Sequence, residues 1–123
     1  MDIESVLWIF MLFSGEESSE YEPIVEMSMV EVEKMLLPDA DTEDVRLNYL
    51  CAALANYRYH QVMCSREHSA VTFAGKMRKS ENDISISYAE KLFRDYMKMC
   101  GDLLKPVDFV FLSFSKGDDV SNA

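Results

Sequence analysis

Apolar residues recur along this chain in four stretches with helical spacing, set apart by Gly, Pro and clusters of acids. The first stretch predicts a helix from about Asp2 to Phe13, with Gly15 placed to cap its C-terminus. The second carries two start signals, Ser19 followed three residues on by Glu22, and Pro23 in the first turn. Its Val25, Met29, Val32 and Leu36 share one face, Glu22, Glu26 and Glu33 occupy much of the remainder, and Pro38 ends it.

A third helix is expected to open at Asp41-Thr42-Glu43-Asp44, where carboxylates and a hydroxyl suit the positive end of the helix dipole. From Leu47 to Met63 it is apolar almost all round. Such a helix must be covered on several sides, and a neighbouring subunit is the natural cover for whatever the other helices leave open. The fourth helix is predicted from about Ser87 to Lys105. Ser87 with Glu90 offers a capping box, Ala89, Leu92, Phe93, Tyr96, Cys100, Leu103 and Leu104 form its stripe, and Pro106 stops it.

Between the third and fourth helices, the short runs Val71–Phe73 and Ile84–Ile86 flank a polar, basic, turn-rich middle, which predicts a loose β-hairpin or an extended loop. Near the end, the segment from Phe109 to Phe114 is apolar on both faces of a strand. Exposed, it would be an aggregation hazard, so it is expected to be covered or paired. The fold class is therefore mainly α: a four-helix bundle-like protomer with a short hairpin or loop before the last helix and a short C-terminal strand. Residues 1–115 are read as one helical domain and 116–123 as a flexible tail.

Length and composition agree with that reading. A chain of 123 residues that is 49% hydrophobic supports one core, and two would each be too small. Three cysteines, Cys51, Cys64 and Cys100, do not make a disulfide framework and suit a reducing compartment. The apolar run Ile3–Phe13 is preceded by Asp2 and interrupted by Glu4, which argues against a signal peptide. It is also too short to span a bilayer, so a buried or interfacial helix in a soluble protein is expected.

Charge changes the picture more than composition does. Residues 1–45 carry 13 acids and one base, Lys34, whereas residues 46–105 carry ten bases and six acids. That polarity disfavours general nucleic-acid binding, which needs net attraction to phosphate. It fits head-to-tail contact between copies, and equally it fits acidic faces that keep the protein in solution.

Candidate chemistry is sparse. His60, Cys64 and His68 recur every four residues and would line one helical face, a spacing that three zinc ligands can use. No CxxC or HExxH motif supports them, and the plainer reading is ordinary boundary residues. Cys64 beside either histidine lacks any mark of an oxyanion hole. The clusters Glu16-Glu17 and Asp39–Asp44 lack the central glycine and terminal glutamate of a calcium loop. No glycine-rich phosphate loop occurs. No catalytic, metal or cofactor residue is assigned, and neither a small-molecule substrate nor a membrane is expected. The candidate interface residues are Tyr57 and Tyr59, the basic group Lys76, Arg78 and Lys79, and the aromatics Phe109, Phe111 and Phe114. Tyr57 and Tyr59 carry the plainer alternative of packing residues.

The order of these pieces resembles the head–tail connector (neck adaptor) proteins of long-tailed bacteriophages and prophages. The likeness lies in Phe13-Ser-Gly-Glu16 closing the first helix, Leu36-Leu-Pro-Asp39 closing the second, and Thr42-Glu-Asp44 opening an alanine-rich helix, Leu50-Cys-Ala-Ala-Leu-Ala-Asn-Tyr-Arg-Tyr59. Phe73-Ala-Gly-Lys76, Tyr88-Ala-Glu-Lys91 and Asp108-Phe-Val-Phe111 follow in order, so the resemblance covers roughly residues 3–114. Lys76-Met-Arg-Lys79 departs from the pattern, since such proteins often place an acidic or small residue there.

The resemblance implies a structural, non-enzymatic protomer in the virion neck. It would join other copies in a ring beneath the portal, contact portal and tail-side proteins, and pass DNA through its channel without reading sequence. An acidic lining would let the DNA backbone slide. The competing expectation is a small acidic module that regulates or inhibits one protein partner, possibly by mimicking nucleic acid.

Overall fold

The computed structural model describes the backbone of residues 1–74 and 81–106, and side chains within 1–67 and 84–106. The described chain is mainly helical: α1 (Ile3–Ser14), α2 (Glu22–Met35), α3 (Val45–Ala74) and α4 (Glu81–Met99), with short 3-10 turns at Ser19–Tyr21 and Gly101–Leu103. Asp2 caps α1, its carboxylate accepting from the Ser5 amide at 3.0 Å and the Ser5 hydroxyl at 2.7 Å. Gly15 closes that helix at φ 80°, where its N–H reaches Met11 O; this left-handed geometry is one that glycine adopts without strain. Ser18, one residue before the expected cap, accepts from the Glu20 amide and starts the 3-10 turn that leads into α2, with Pro23 in that helix's first turn.

Helix α3 is the hub, and α1, α2 and α4 all pack on it. Residues Leu50 to Tyr57 are buried without a break, together with Leu47 and Tyr59. Three alanines in this run, Ala52, Ala53 and Ala55, let neighbouring helices approach closely. Aromatic contacts mark two sides, and an ion pair marks the third. Tyr59 meets Phe10 of α1 edge-on at 5.7 Å and Tyr21 at 5.0 Å, Tyr57 stacks on Phe93 of α4 at 6.2 Å, and Tyr49 stacks on Tyr96 at 5.8 Å. Towards α2, Arg58 forms a two-point pair with Glu31, at 2.8 and 3.3 Å. Three helices of the same chain cover the run from Leu50 to Tyr57, whereas Val45, Tyr49 and Val62 of α3 keep exposed surface.

Two polar devices tie the ends together. Arg46 in the first turn of α3 reaches Asp44 through Nε and Nη2, Asp102 through Nη1 and Nη2, and the Met99 carbonyl through Nη1, all at 2.9–3.1 Å. One guanidinium thus joins the start of α3 to the end of α4. An isolated antiparallel bridge, Leu36 to Leu104, joins the end of α2 to the segment after α4; Leu37 N–H donates to Leu103 O at 2.9 Å and Lys105 N–H to Met35 O at 2.8 Å.

The expected hairpin is replaced by helix. Val71–Phe73 lie in the last turn of α3, and Ile84–Ile86 in the first turns of α4. No Gly or Pro interrupts the chain from Val45 to Ala74, so α3 continues well past Met63. In α4, Ile86 begins the series Ile86, Ala89, Phe93 and Cys100 that packs on the core, which extends the helix ahead of the expected Ser87 start. Gly101 follows the end of α4, and a 3-10 turn takes the place of the expected helix to Lys105. The expected C-terminal strand, the tail and the proposed domain limit at residue 115 lie outside the described residues.

Burial falls away along α3. Its 30 residues extend about 45 Å, against about 18 Å for α1 and about 21 Å for α2. No residue from His60 to Glu67 is fully buried.

Replacing Phe10, which has no exposed surface, with Ala is expected to cost about 3–5 kcal/mol in urea unfolding; a loss under about 1 kcal/mol would contradict its central place. Hydrogen bonds from Arg46 hold the Asp44 carboxyl at a pKa of about 2, below its ordinary 3.8. The folded form therefore binds that proton less readily than the unfolded chain. The stabilisation is complete above the unfolded value and is lost as pH falls through it towards about 2. The urea-midpoint gap between wild type and Asp44→Asn should accordingly be constant near neutral pH and shrink in acid. A gap independent of pH would refute this.

Candidate interaction surface

Helix α1 is apolar on both sides. Its inward residues Val6, Ile9 and Phe10 enter the core, with Ile3 and Phe13 packed beside them. Its outward stripe, spaced by four, is Glu4, Trp8 and Leu12, and Trp8 and Leu12 are 72% and 74% exposed. A surface helix normally turns charged residues to water at such positions. Here an indole and a leucine stand there instead, on one wall of a shallow depression completed by Met11, Gly15, Glu16 and Glu17. A contiguous apolar patch rimmed by polar groups is the usual form of a docking surface.

The turn after α1 fixes the acidic end of this stripe. Gly15 reverses the chain so that Glu16 accepts a hydrogen bond from the hydroxyl of Tyr59. Burial, with this carboxylate beside it, pushes the Tyr59 phenol well above its ordinary range, so Tyr59 remains a neutral donor. Glu16 is thereby occupied, and Glu17 is left exposed beside Leu12.

Charge is uneven between the helices. Glu4, Glu17, Glu20, Glu26, Glu33, Asp39, Asp41 and Glu43 are exposed, and Lys34 is the exposed base in the same stretch. The outer surface of α4 carries Lys91, Arg94 and Lys98 with one exposed acid, Asp95, and Asp102 and Lys105 follow it. Arg94 pairs with Glu90 at 2.8 Å, whereas Lys91 and Lys98 have no ion pair among the described residues. Ile84 and Tyr88, one turn apart at the start of the same helix, are 48% and 70% exposed. Beyond Lys98 lies a second shallow depression, walled by Met97, Gly101, Leu104, Lys105 and Pro106.

Of the interface residues expected from sequence, Tyr57 and Tyr59 are among those described. Tyr57 and Tyr59 are only 7% and 6% exposed, and both rings pack inside this chain, so they offer no free surface. Lys76, Arg78, Lys79, Phe109, Phe111 and Phe114 lie outside the described residues. Trp8 and Leu12 were legible only in part: the sequence marks the first helix as apolar all round, but not which side the other helices cover.

Burial sets the state of the described titratable groups on α3. Burial lowers the pKa of His60, whose Nδ1 has no hydrogen-bond partner, which favours the neutral ring. The side chain of His68 lies outside the described residues, and among those described no three His, Cys, Asp or Glu converge on one point. Burial pushes the Cys51 thiol up to about 12, which makes it a packing residue rather than a nucleophile.

No known protein family, curated protein or solved structure matches the chain. Among the described residues, no helix is long and apolar enough to cross a membrane.

Trp8 is the single tryptophan, so its fluorescence reports this surface alone. In the isolated protein its emission should resemble that of indole in water and be quenched readily by acrylamide. Occupation of the α1 face should shift the emission to the blue and protect it. Blue, protected emission in a monodisperse monomer would show that the face is already covered.

Proposed function

We propose that this chain is a structural connector protein of the neck of a tailed phage or prophage. Its copies form a ring between portal and tail, and the ring continues the channel through which DNA leaves the capsid. The observation that carries this reading is a helical chain with an uncovered apolar stripe on α1, an excess of exposed acids on α1, α2 and their turns, and an excess of exposed bases on α4. Such a protomer has something to offer a neighbour on two different sides. The resemblance in the order of helices and short sequence words supports the same reading. In the ring, acidic surface from α1 and α2 that faces the channel would repel the DNA backbone and let it pass. The chain acts here by assembly and carries out no reaction.

A second reading draws on the same acids. An exposed acidic surface spanning α1, the following turn and α2, with Lys34 as its exposed base, would suit a small module that binds one basic protein in place of nucleic acid.

Mass measurement over a wide concentration range, with and without a phage portal protein, separates the two. The connector reading expects concentration-dependent oligomers, or rings once portal is added. Monomer under every condition, together with competition against DNA for a basic partner, would replace it with the second reading.

A further inference from the structure

The proposed ring leaves open which surfaces meet, and the described side chains narrow the choice. Resting on that self-association reading, we propose that the outward face of α1 in one copy docks on the outward face of α4 in the next. Trp8 and Leu12 then pack on Ile84 and Tyr88 of the second copy, and an acid at one end of the α1 stripe faces Lys91.

Three observations point to this pairing. First, each face holds an exposed apolar pair one helical turn apart, Trp8 with Leu12 and Ile84 with Tyr88. Both helices pack on α3 and turn these residues away from it, so one chain cannot satisfy its own two faces.

Second, the charges flanking the pairs are opposite in sign. On α1, Glu4 lies about 9 Å along the helix from the midpoint of the apolar pair, and Glu17 follows in the turn after Gly15. On α4, Lys91 lies about 8 Å from the midpoint of its own pair, with exposed Asp95 and Lys98 further along. When the apolar pairs are superposed with the helices antiparallel, Glu4 comes opposite Lys91. Neither lysine is held by an ion pair within the described residues, so neither must first be released.

Third, the like-with-like alternatives are opposed. Two α1 faces would bring the glutamates of one copy towards those of the other, and two α4 faces would do the same with the lysines, a juxtaposition that costs affinity. The α1-to-α4 contact is also heterologous. Each copy that uses its α1 face still has a free α4 face, which is the property a closed ring requires and a two-fold dimer lacks.

The test uses the full chain with Cys64→Ser, since Cys51 and Cys100 are buried. Leu12→Cys and Tyr88→Cys variants, tagged to differ in size, are mixed at high concentration under mild oxidation, with and without portal. Mixed dimers should dominate over either homodimer, and a chain carrying both changes should form a ladder of multimers. Separately, Trp8→Glu should weaken self-association by about tenfold or more. Lys91→Glu should weaken it less and be rescued by Glu4→Lys with Glu17→Lys. Circular dichroism should match that of the Cys64→Ser parent throughout, because every residue altered beyond Cys64 is exposed.

Homodimers in equal yield, or unchanged association of the Trp8→Glu variant, would overturn this contact while leaving the ring intact. Mixed cross-linking without any assembly on portal would keep the contact and remove the connector role. Absence of both cross-linking and association in all conditions would remove both.

Discussion

The run from Leu50 to Tyr57 is buried without a break, and three separate helices are needed to bury it. A helix with no polar side has no stable arrangement in water until each side meets another apolar surface. α1, α2 and α4 meet it with one stripe each, and the alanines at 52, 53 and 55 keep the surrounding helices close. The aromatic pairs then fill the wider gaps: Phe10, Tyr21 and Tyr59 on one side, Tyr57 with Phe93 and Tyr49 with Tyr96 on another. Arg46 and the Leu36–Leu104 bridge act on this frame rather than create it, holding chain ends that packing has already brought together.

Because α3 absorbs the inner stripes of its three neighbours, what remains on their outer sides decides how the molecule meets others. α2 turns glutamates outward and α4 turns lysines outward, as surface helices do. Each also exposes apolar side chains, Met27 and Val30 on α2 and Ile84 and Tyr88 on α4, as α1 does with Trp8 and Leu12. The most exposed of these, Leu12, Trp8 and Tyr88, lie on the first and fourth helices rather than on the third. Tyr57 and Tyr59 illustrate the same exchange, since both are consumed by internal packing.

Much of the architecture could be read from residue order. Asp2 and Gly15 bound the first helix as their chemistry suggests, Pro23 opens the second, and the all-apolar third helix announces its own enclosure. The errors have a common physical origin. Val71–Phe73 and Ile84–Ile86 are rich in β-branched or alternating residues, a local preference worth less than the tertiary contacts of a helix already under way. Ser87 with Glu90 has the spacing of a capping box but lies inside α4, because three-residue spacing recurs within any helix. Which side of α1 faces water depends on where α2 and α3 sit, and no local pattern carries that information.

The thinning cover of α3 past Tyr59 separates its described residues into a part that opens with the whole molecule and a part that opens locally. Enclosure ends within a turn of the Phe10–Tyr21–Tyr59 cluster, and the residues from His60 to Glu67 are covered only in part. Backbone amides in the enclosed run can exchange with solvent only when the three helices separate, so they carry the full unfolding free energy. Those beyond it need only a local loss of helix. Within the described residues, one continuous helix thus spans two regimes of protection.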